Sequence, residues 1–215
     1  VMAGVALAVR TWLSDANAPA PSDSGEGSPL GPMVLLGLLG LTAAFLEAPG
    51  NEWSATFIDD AFDAAPATAA LGFVGFTVGM TVSRLIGDSI AARWGHSRSL
   101  SGSLPVAAAG WAAVVLAPAP SIAVAGFAVA GLGTGMIFPQ LYASGASGSL
   151  VSQGRGLSAM SFGARLGFLL VTPTVGLLGS TVGLDVSLAW VIGSALIGLW
   201  LLGRVGSRRS APASH

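Results

Sequence analysis

The residue best placed for chemistry is Glu47, an acid embedded in the apolar run GLTAAFLEAPG. A carboxylate in such a run is costly unless it is paired, hydrated or protonated, so it is a functional candidate. Glu47 could take up and release a proton or contact a substrate, and Asn51 is a further candidate one turn later. The alternative is an interfacial glutamate that reaches water, because Pro49 is only two residues away.

Three other polar residues lie in apolar surroundings. Arg165 could bind an anionic substrate, pair with a carboxylate across a cavity, or extend its charged end to the membrane surface. Gln140 and Tyr142 follow Pro139, and amide and phenol groups near a broken helix suit hydrogen bonding to a polar substrate. Hydrogen bonds between helices would explain Gln140 and Tyr142 equally well.

A stretch from Gly72 to Arg98 begins as an apolar helix pattern and ends in charged and turn-forming residues. This pattern predicts a membrane helix that meets a tight cytoplasmic loop. Asp88 could accept hydrogen bonds from arginines there and lie near the positive end of a neighbouring helix. We refer to these residues as the charged cluster; they are Arg84, Gly87, Asp88, Arg93, Gly95 and Arg98.

The composition is that of a membrane protein. Hydrophobic residues make up 53% of the 215 residues and charged residues 9%, whereas a soluble domain carries about a quarter charged residues. The net charge of −1 and the lack of a basic stripe argue against nucleic-acid binding. The chain has no cysteine, which excludes disulfides and thiolate metal sites.

The remaining acidic motif is a poor fit to an enzyme. Asp59, Asp60 and Asp63 resemble the DDxxD motif with which prenyl transferases hold magnesium and diphosphate. Those enzymes need a second acidic motif and nearby basic groups, and this segment offers neither. We therefore expect no enzymatic activity, no metal site and no cofactor.

Six apolar segments, each about as long as a bilayer crossing, must position these residues. We predict them at 33–48, 67–87, 100–117, 121–144, 157–179 and 184–203. Residues 1–9 look like the end of a preceding helix, 10–32 like a flexible cytoplasmic linker and 204–215 like a cytoplasmic tail. We therefore expect the chain to be a fragment.

The positions of the arginines predict the orientation. With the linker in the cytoplasm, six crossings leave these arginines in or next to the cytoplasmic segments: Arg10, Arg84, Arg93, Arg98, Arg155, Arg204, Arg208 and Arg209. The charged residues of the outer connections are then all acidic; they are Glu52, Asp59, Asp60, Asp63 and Asp185. We expect a multi-pass protein of the plasma or inner membrane, with the lipid bilayer as a partner and a cytoplasmic C-terminus.

Small residues predict how the helices pack. Glycine lets helix backbones approach closely in lipid, and it recurs at four-residue spacing in the pairs Gly75/Gly79, Gly131/Gly135 and Gly163/Gly167. Pro139 and Pro173 lie inside spans and are expected to kink them. Four tryptophans are expected to face lipid or the membrane interface; they are Trp94, Trp111, Trp190 and Trp200.

The charged cluster resembles the R-x-x-G-D-x-x-x-x-R-x-G loop signature of the major facilitator superfamily. Six spans after a polar linker are similar to the C-terminal half of such a twelve-span transporter, with Asp88 after the eighth span. The residues Glu47-x3-Asn51-Glu52-Trp53-Ser54 also resemble a bacterial sugar-permease-like branch. The chain departs from the strongest form of the loop, because Ser89 follows Asp88 where a basic residue is usual.

This resemblance implies an all-α membrane fold in which six transmembrane helices form one half of a major-facilitator-type bundle. In the family the charged loop latches the cytoplasmic side, which would make the charged cluster a gate; otherwise it only fixes the loop. The partner would be a missing N-terminal six-helix half of the same chain, or a second copy.

The implied function is secondary active transport of a small solute by alternating access, with proton coupling through Glu47. The alternative is a membrane assembly subunit that does not transport, or a degenerate half-transporter. Transport predicts a solvated cavity that contains Glu47, Gln140 or Arg165, whereas a packing subunit predicts that these side chains are paired and dry.

Overall fold

The computed structural model describes residues 30–146 and 151–209, and all regular structure within them is helical. The helices are α1 (Leu30–Glu52), α2 (Ser54–Phe62), α3 (Pro66–Trp94), α4 (His96–Val115), α5 (Pro120–Thr134), α6 (Ile137–Ala146), α7 (Gln153–Val182) and α8 (Leu184–Arg209). The predicted helix end at 1–9, nearly all of the predicted linker and the last residues of the predicted tail lie outside the described residues.

Helices cover the six predicted apolar segments, and five stretches of the described residues are long and apolar enough to cross a membrane. These five are α1, α3, α5 together with most of α6, α7, and α8. Helix α4 has the length of a crossing, at 20 residues, but its sequence HSRSLSGSLPVAAAGWAAVV is too rich in serine and small residues to qualify. The short helix α2 was not predicted from the sequence.

Two pairs of parallel helices form the framework of the fold. Helix α1 runs beside α7: Gly40 lies against the carbonyl of Met160, and further along Gly167 lies against Leu41. A methyl group added at Gly163 would overlap the backbone carbonyl of Gly37. The backbones of α1 and α7 are therefore in direct contact over several turns.

Helices α3 and α5 form the second pair by the same means. Gly79 lies against the carbonyl of Ala128, and Gly131 of α5 lies against the carbonyl of Phe76 in α3. Glycines of all three predicted pairs therefore contact backbone of a neighbouring helix, which confirms that this spacing serves packing.

Helix α4 packs antiparallel to α5, again through glycine. Gly110 lies against Ala130, and Gly133 lies against Ala107. This contact buries Trp111 completely, with its ring centroid 6.2 Å from that of Phe76 and 5.7 Å from that of Phe127. The prediction that Trp111 faces lipid or the interface is wrong, because the close approach of α4 and α5 turns this face of α4 into the core.

The other expected surface tryptophans are exposed in the structure. Their side chains are more than half accessible in each case, at Trp94, Trp190 and Trp200. The guanidinium carbon of Arg204 lies 4.1 Å from the centroid of the Trp200 ring, which is a cation–π geometry.

A break separates α5 from α6. Helix α5 ends at Thr134 and α6 begins at Ile137, with Pro139 in the first turn of α6. Because proline has no backbone N–H, it cannot donate the helical hydrogen bond to the residue four positions earlier, Gly135. The predicted kink at Pro139 is therefore confirmed, whereas α7 continues through Pro173 without interruption.

The contact at Gly163 makes a testable prediction about stability. Alanine is a better helix former than glycine by about 1 kcal/mol, so Gly163→Ala would stabilise α7 if space were available. We expect instead that Gly163→Ala destabilises the protein by about 1–3 kcal/mol, because the added methyl group forces α1 and α7 apart. The measurement is thermal unfolding of the purified protein in detergent.

Gly193→Ala is the matched control, because no atom lies within 4 Å of the position that a Cβ would occupy there. This variant should be at least as stable as the wild type. A Gly163→Ala protein as stable as Gly193→Ala would show that α1 and α7 are not in backbone contact.

Candidate functional site

A cavity of about 360 Å³ with charged and aromatic walls lies between α1, α3, α6 and α7. Helix α1 contributes Glu47 and α3 contributes Arg84. Helices α6 and α7 supply the other lining residues, which are Phe138, Tyr142, Ser161, Ala164, Arg165 and Phe168. Its volume is at the lower end of the range of about 300–1,000 Å³ that is usual for small-molecule sites.

Two other hollows are poorer candidates. A groove of about 500 Å³ between α1 and α7 is larger, but its walls are almost entirely apolar, with Ser158 as the polar side chain. A smaller hollow of about 170 Å³ between α3, α4 and α5 is also mainly apolar. The apolar groove lacks the converging polar groups that orient a polar solute. The smaller hollow has three serines, Ser83, Ser99 and Ser103, but no charged group, and two of these serines donate to backbone carbonyls of their own helix.

A salt bridge between Glu47 and Arg84 crosses one side of the charged cavity. Arg84 Nη2 lies 3.6 Å from Glu47 Oε1; the glutamate side chain is 14% exposed and the arginine side chain 50%. The second carboxylate oxygen, Oε2, is buried and has no hydrogen-bond partner. The arginine offsets part of the free-energy cost of placing the carboxylate here. Oε2 can still accept a proton or a hydrogen bond.

The close approach of α1 and α3 brings these two residues together. Near the end of α1, Gly50 lies against the ring of Phe76, so that α1 approaches α3 closely at this level. Glu47 is less than one turn earlier in α1, and Arg84 is about two turns further along α3 than Phe76. The long arginine side chain covers the remaining distance along α3.

Three aromatic rings form the opposite wall. The Phe138 ring stacks on Phe168 with a centroid distance of 5.9 Å and an interplanar angle of 17°. It also stacks on Tyr142 at 6.1 Å and 23°. The Tyr142 hydroxyl lies 3.4 Å from the Ser161 hydroxyl. This wall can therefore contact a flat apolar group and offers two hydroxyls at its edge.

Arg165 lies on the exposed face of α7 that lines the cavity. Among the described residues, no carboxylate forms a salt bridge with it. The sequence left open whether Arg165 binds an anion, pairs with a carboxylate or extends to the membrane surface. Its position in the wall of the cavity favours a role inside it.

Gln140 and Asn51 do not line the cavity. The Gln140 side chain is buried, and its Oε1 lies 2.5 Å from His96 Nδ1, at the start of α4. Gln140 therefore connects α6 to α4, which agrees with the alternative that its hydrogen bonds join neighbouring helices. Asn51 is exposed and donates a hydrogen bond from Nδ2 to the backbone oxygen of Glu47 at 3.3 Å.

The predicted cytoplasmic loop is helical over most of its length. Helix α3 continues through Arg84 and Asp88 to Trp94, and the turn itself is made by Gly95, whose φ is +80°. Gly87 and Arg93 are likewise in α3, and Arg98 is in the first turn of α4. The loop boundaries that we predicted are wrong, because the charged residues extend the helix instead of ending it.

Asp88 forms no salt bridge with Arg84 or Arg93 within residues 30–146 and 151–209. Arg84 pairs with Glu47 instead. The structure thus divides the charged cluster between the cavity wall and the end of α3. The role of the other members as a gate stays a prediction.

Sequence reasoning missed four residues of the cavity, which are Phe138, Ser161, Ala164 and Phe168. Their spacing carried a usable signal. Ser161, Arg165 and Phe168 are four and three residues apart, which places them on one face of a helix. Phe138 is four residues before Tyr142, and Phe168 is three residues after Arg165. Helical spacing from the two candidates Tyr142 and Arg165 therefore predicts the aromatic wall.

The salt bridge makes a prediction about stability. Removing the guanidinium in Arg84→Gln leaves the Glu47 carboxylate largely buried without its partner, and we expect a loss of about 1–3 kcal/mol. The double variant Glu47→Gln/Arg84→Gln should recover most of that loss, because no unpaired charge remains. Thermal unfolding of the four proteins in a double-mutant cycle measures the coupling.

Arg98→Gln, the control variant, removes an exposed arginine in the first turn of α4 and should change stability by no more than about 0.5 kcal/mol. If Arg84→Gln and the double variant are equally destabilised, the contact between Glu47 and Arg84 is not a stabilising pair.

Comparison with known proteins supports membrane transport. The chain is 29% identical over 173 residues to an uncharacterized transporter of Sinorhizobium fredii, an alignment that covers 76% of the chain and 46% of that protein. It is 28% identical over 165 residues to the membrane protein MosC of Rhizobium meliloti, covering 77% and 40% of the two chains. It is 24% identical over 163 residues to an uncharacterized MFS-type transporter of Yersinia pestis, covering 76% and 42%.

No family model matches the chain. The matched region spans less than half of the length of each of these relatives. Together with the five helices that are long and apolar enough to cross a bilayer, the similarity identifies the chain as a multi-pass integral membrane protein related to transporters.

Proposed function

We propose that this chain is the C-terminal six-helix half of a major-facilitator-type secondary transporter, which moves a small solute by alternating access with proton coupling through Glu47. The observation that carries the proposal is the cavity between α1, α3, α6 and α7. It brings a largely buried carboxylate, two arginines, two hydroxyls and an aromatic wall together at one place in a membrane protein. Ionisable groups inside membrane segments are costly, and they mark solute and proton pathways.

The packing of α4 supports a sixth crossing. Helix α4 has 20 residues, which corresponds to about 30 Å of helix. It contacts α5 in the antiparallel sense over about two turns, from Ala107 beside Gly133 to Val114 beside Gly126. Its polar serines are satisfied locally: Ser99 and Ser103 donate to the carbonyls four residues earlier. A crossing helix with this composition is acceptable where neighbouring helices cover it.

The similarity to the relatives supports the assignment to one half of a transporter. Two are called transporters, and one of these is of MFS type. The matched region is 40–46% of their length. We propose that the remainder of such a transporter, either in the same polypeptide or as a second copy, closes the open side of the cavity.

The orientation that we propose has the turn at Gly95 and the start of α7 in the cytoplasm. Arg93, Arg98 and Arg155 belong to that end, whereas the acidic residues of α2 and Asp185 belong to the other. This distribution obeys the positive-inside rule. Asp88, Arg93 and Arg98 would then be available to form a cytoplasmic gate. The proposed assignment to a sugar-permease-like branch rests on the stretch from Glu47 to Ser54.

The second candidate is a membrane subunit that packs without transporting. At Gln140 the structure favours this second candidate, because the side chain contacts His96 of the same helix bundle. The cavity favours transport, because the described helices leave Arg165 exposed and Arg84 half-exposed in its lining. The two candidates therefore differ in whether water reaches Ser161 from both sides of the membrane.

A single cysteine at Ser161 tests alternating access without a known substrate. This chain has no cysteine, and any cysteine elsewhere in the full-length gene product is first replaced by serine. We expect Ser161→Cys, in the full-length gene product, to react with a membrane-impermeant maleimide in both right-side-out and inverted vesicles. A cavity that opens alternately to the two sides must expose its wall to both. The measurement is the labelling rate in each kind of vesicle.

Two control positions frame this experiment. Thr134 is fully buried in α5, so the variant Thr134→Cys should not react with the maleimide from either side. Leu116→Cys, 78% exposed in the connection between α4 and α5, should react from one side only. A Ser161→Cys protein that reacts from one side, or from neither, would favour the packing subunit and contradict transport through this cavity.

Glu47→Gln in the same background tests proton coupling. The amide has the charge of a protonated glutamate and releases Arg84 from its salt bridge. We expect the ratio of the two Ser161→Cys labelling rates to change by about tenfold, which corresponds to about 1.4 kcal/mol between the two states. Lowering the pH should shift the ratio of the wild-type Glu47 protein in the same direction and leave the Glu47→Gln protein unchanged. Equal ratios with glutamate and glutamine at every pH would remove Glu47 from the coupling mechanism.

A further inference from the structure

We infer that the solute bound in this cavity is a small organic anion that carries an aromatic or similarly flat apolar ring, with Arg165 as the residue that holds its negative charge. This inference rests on the proposed transport function and specifies its substrate class. It follows from the balance of charges in the cavity and from the position of the aromatic wall relative to Arg165.

The charges that this chain contributes to the cavity do not cancel. Its lining contains one carboxylate, that of Glu47, and two guanidinium groups, those of Arg84 and Arg165. Helix α1 supplies the carboxylate, α3 and α7 supply one arginine each, and α6 supplies no charged residue. Because Arg84 pairs with Glu47, the excess positive charge belongs to Arg165.

Arg165 is exposed in this chain, but once the cavity closes around a solute an unpaired guanidinium is costly unless an anion or water compensates it. Arginine presents its N–H groups as a planar fork that matches a carboxylate or a phosphate. No carboxylate of the described residues occupies this position at Arg165. An anionic solute would supply the missing charge, and a cationic solute would increase the excess.

The aromatic wall determines the rest of the solute. Phe168 is three residues after Arg165 on the same face of α7, and its ring is at one end of the stack in which Phe138 lies between Phe168 and Tyr142. A ring in the solute could extend this stack, because aromatic pairs prefer offset parallel or edge-to-face contacts. The hydroxyls of Tyr142 and Ser161, 3.4 Å apart, could donate to the oxygens of the anionic group.

Benzoate is the simplest probe with both features, and benzamide and benzylamine are its neutral and cationic counterparts of nearly the same shape. We would titrate each into the full-length protein in lipid nanodiscs, with empty nanodiscs as the control for partitioning, and follow binding by saturation-transfer NMR. We expect benzoate to bind at least about tenfold more tightly than benzamide, and benzylamine to bind more weakly still.

Variants of two arginines in α7 locate the effect. Arg165→Gln should weaken benzoate binding by about tenfold or more and abolish the preference for benzoate over benzamide, whereas Arg165→Lys should retain part of the preference. Arg155→Gln removes a guanidinium of the same helix that does not line the cavity, and it should bind benzoate as the wild type does.

The outcomes separate this inference from the proposed function. If the three probes bind equally, if benzylamine binds best, or if none binds, the assignment of an anionic ring-containing solute is wrong. The labelling of Ser161→Cys from both sides would still support transport of another solute in that case. If Arg165→Gln leaves the preference for benzoate intact, Arg165 is not the anion-binding residue.

Discussion

The fold depends on direct contact between helix backbones at glycine. In lipid the hydrophobic effect does not drive helices together, so association depends on close van der Waals contact. Gly163 against Gly37 and Gly79 against Ala128 leave no room for even a methyl group. These contacts fix two parallel pairs, α1 with α7 and α3 with α5, and the cavity lies where the first pair meets α3 and α6.

The polar groups of the bundle are used in two different ways. The buried side chain of Gln140 contacts His96 and so connects α6 to α4. Glu47 and Arg84 also pair, but one carboxylate oxygen is left without a partner and half of the arginine side chain is exposed. A pair that is satisfied on both sides holds two helices together, whereas a pair that is only partly satisfied can exchange partners when a proton or a solute arrives.

The break between α5 and α6 has a consequence for the cavity. Pro139 removes a hydrogen-bond donor from the first turn of α6, and α6 starts as a separate helix at Ile137. Phe138 and Tyr142 lie on this short helix, where the Phe138 ring stacks on both Tyr142 and Phe168 of α7. An interruption of the helix next to a cavity is a frequent arrangement in transporters, because irregular backbone is tolerated where protein or water surrounds it.

The sequence alone predicted the class of the protein and most of its elements. The low share of charged residues required a membrane protein, apolar segments marked where the long helices lie, and glycine spacing indicated close packing. These features are local. The hydrophobicity of a segment, the spacing of its glycines and the effect of a proline on helical hydrogen bonds each depend on residues within a few turns of one helix. Glu47, Tyr142 and Arg165 could also be selected, since a charge or hydroxyl in an apolar run is visible without a structure.

Only the tertiary structure decided which of these residues meet. Arg84 was expected to interact with Asp88 at the cytoplasmic end of its span, yet it pairs with Glu47, which is 37 positions earlier in the chain. Trp111 was assigned to the surface, yet it is fully buried because α5 approaches α4 at Gly110. Partner choice depends on how helices distant in sequence pack and on where a long side chain can reach. The amino-acid sequence specifies that packing only through the sum of many contacts.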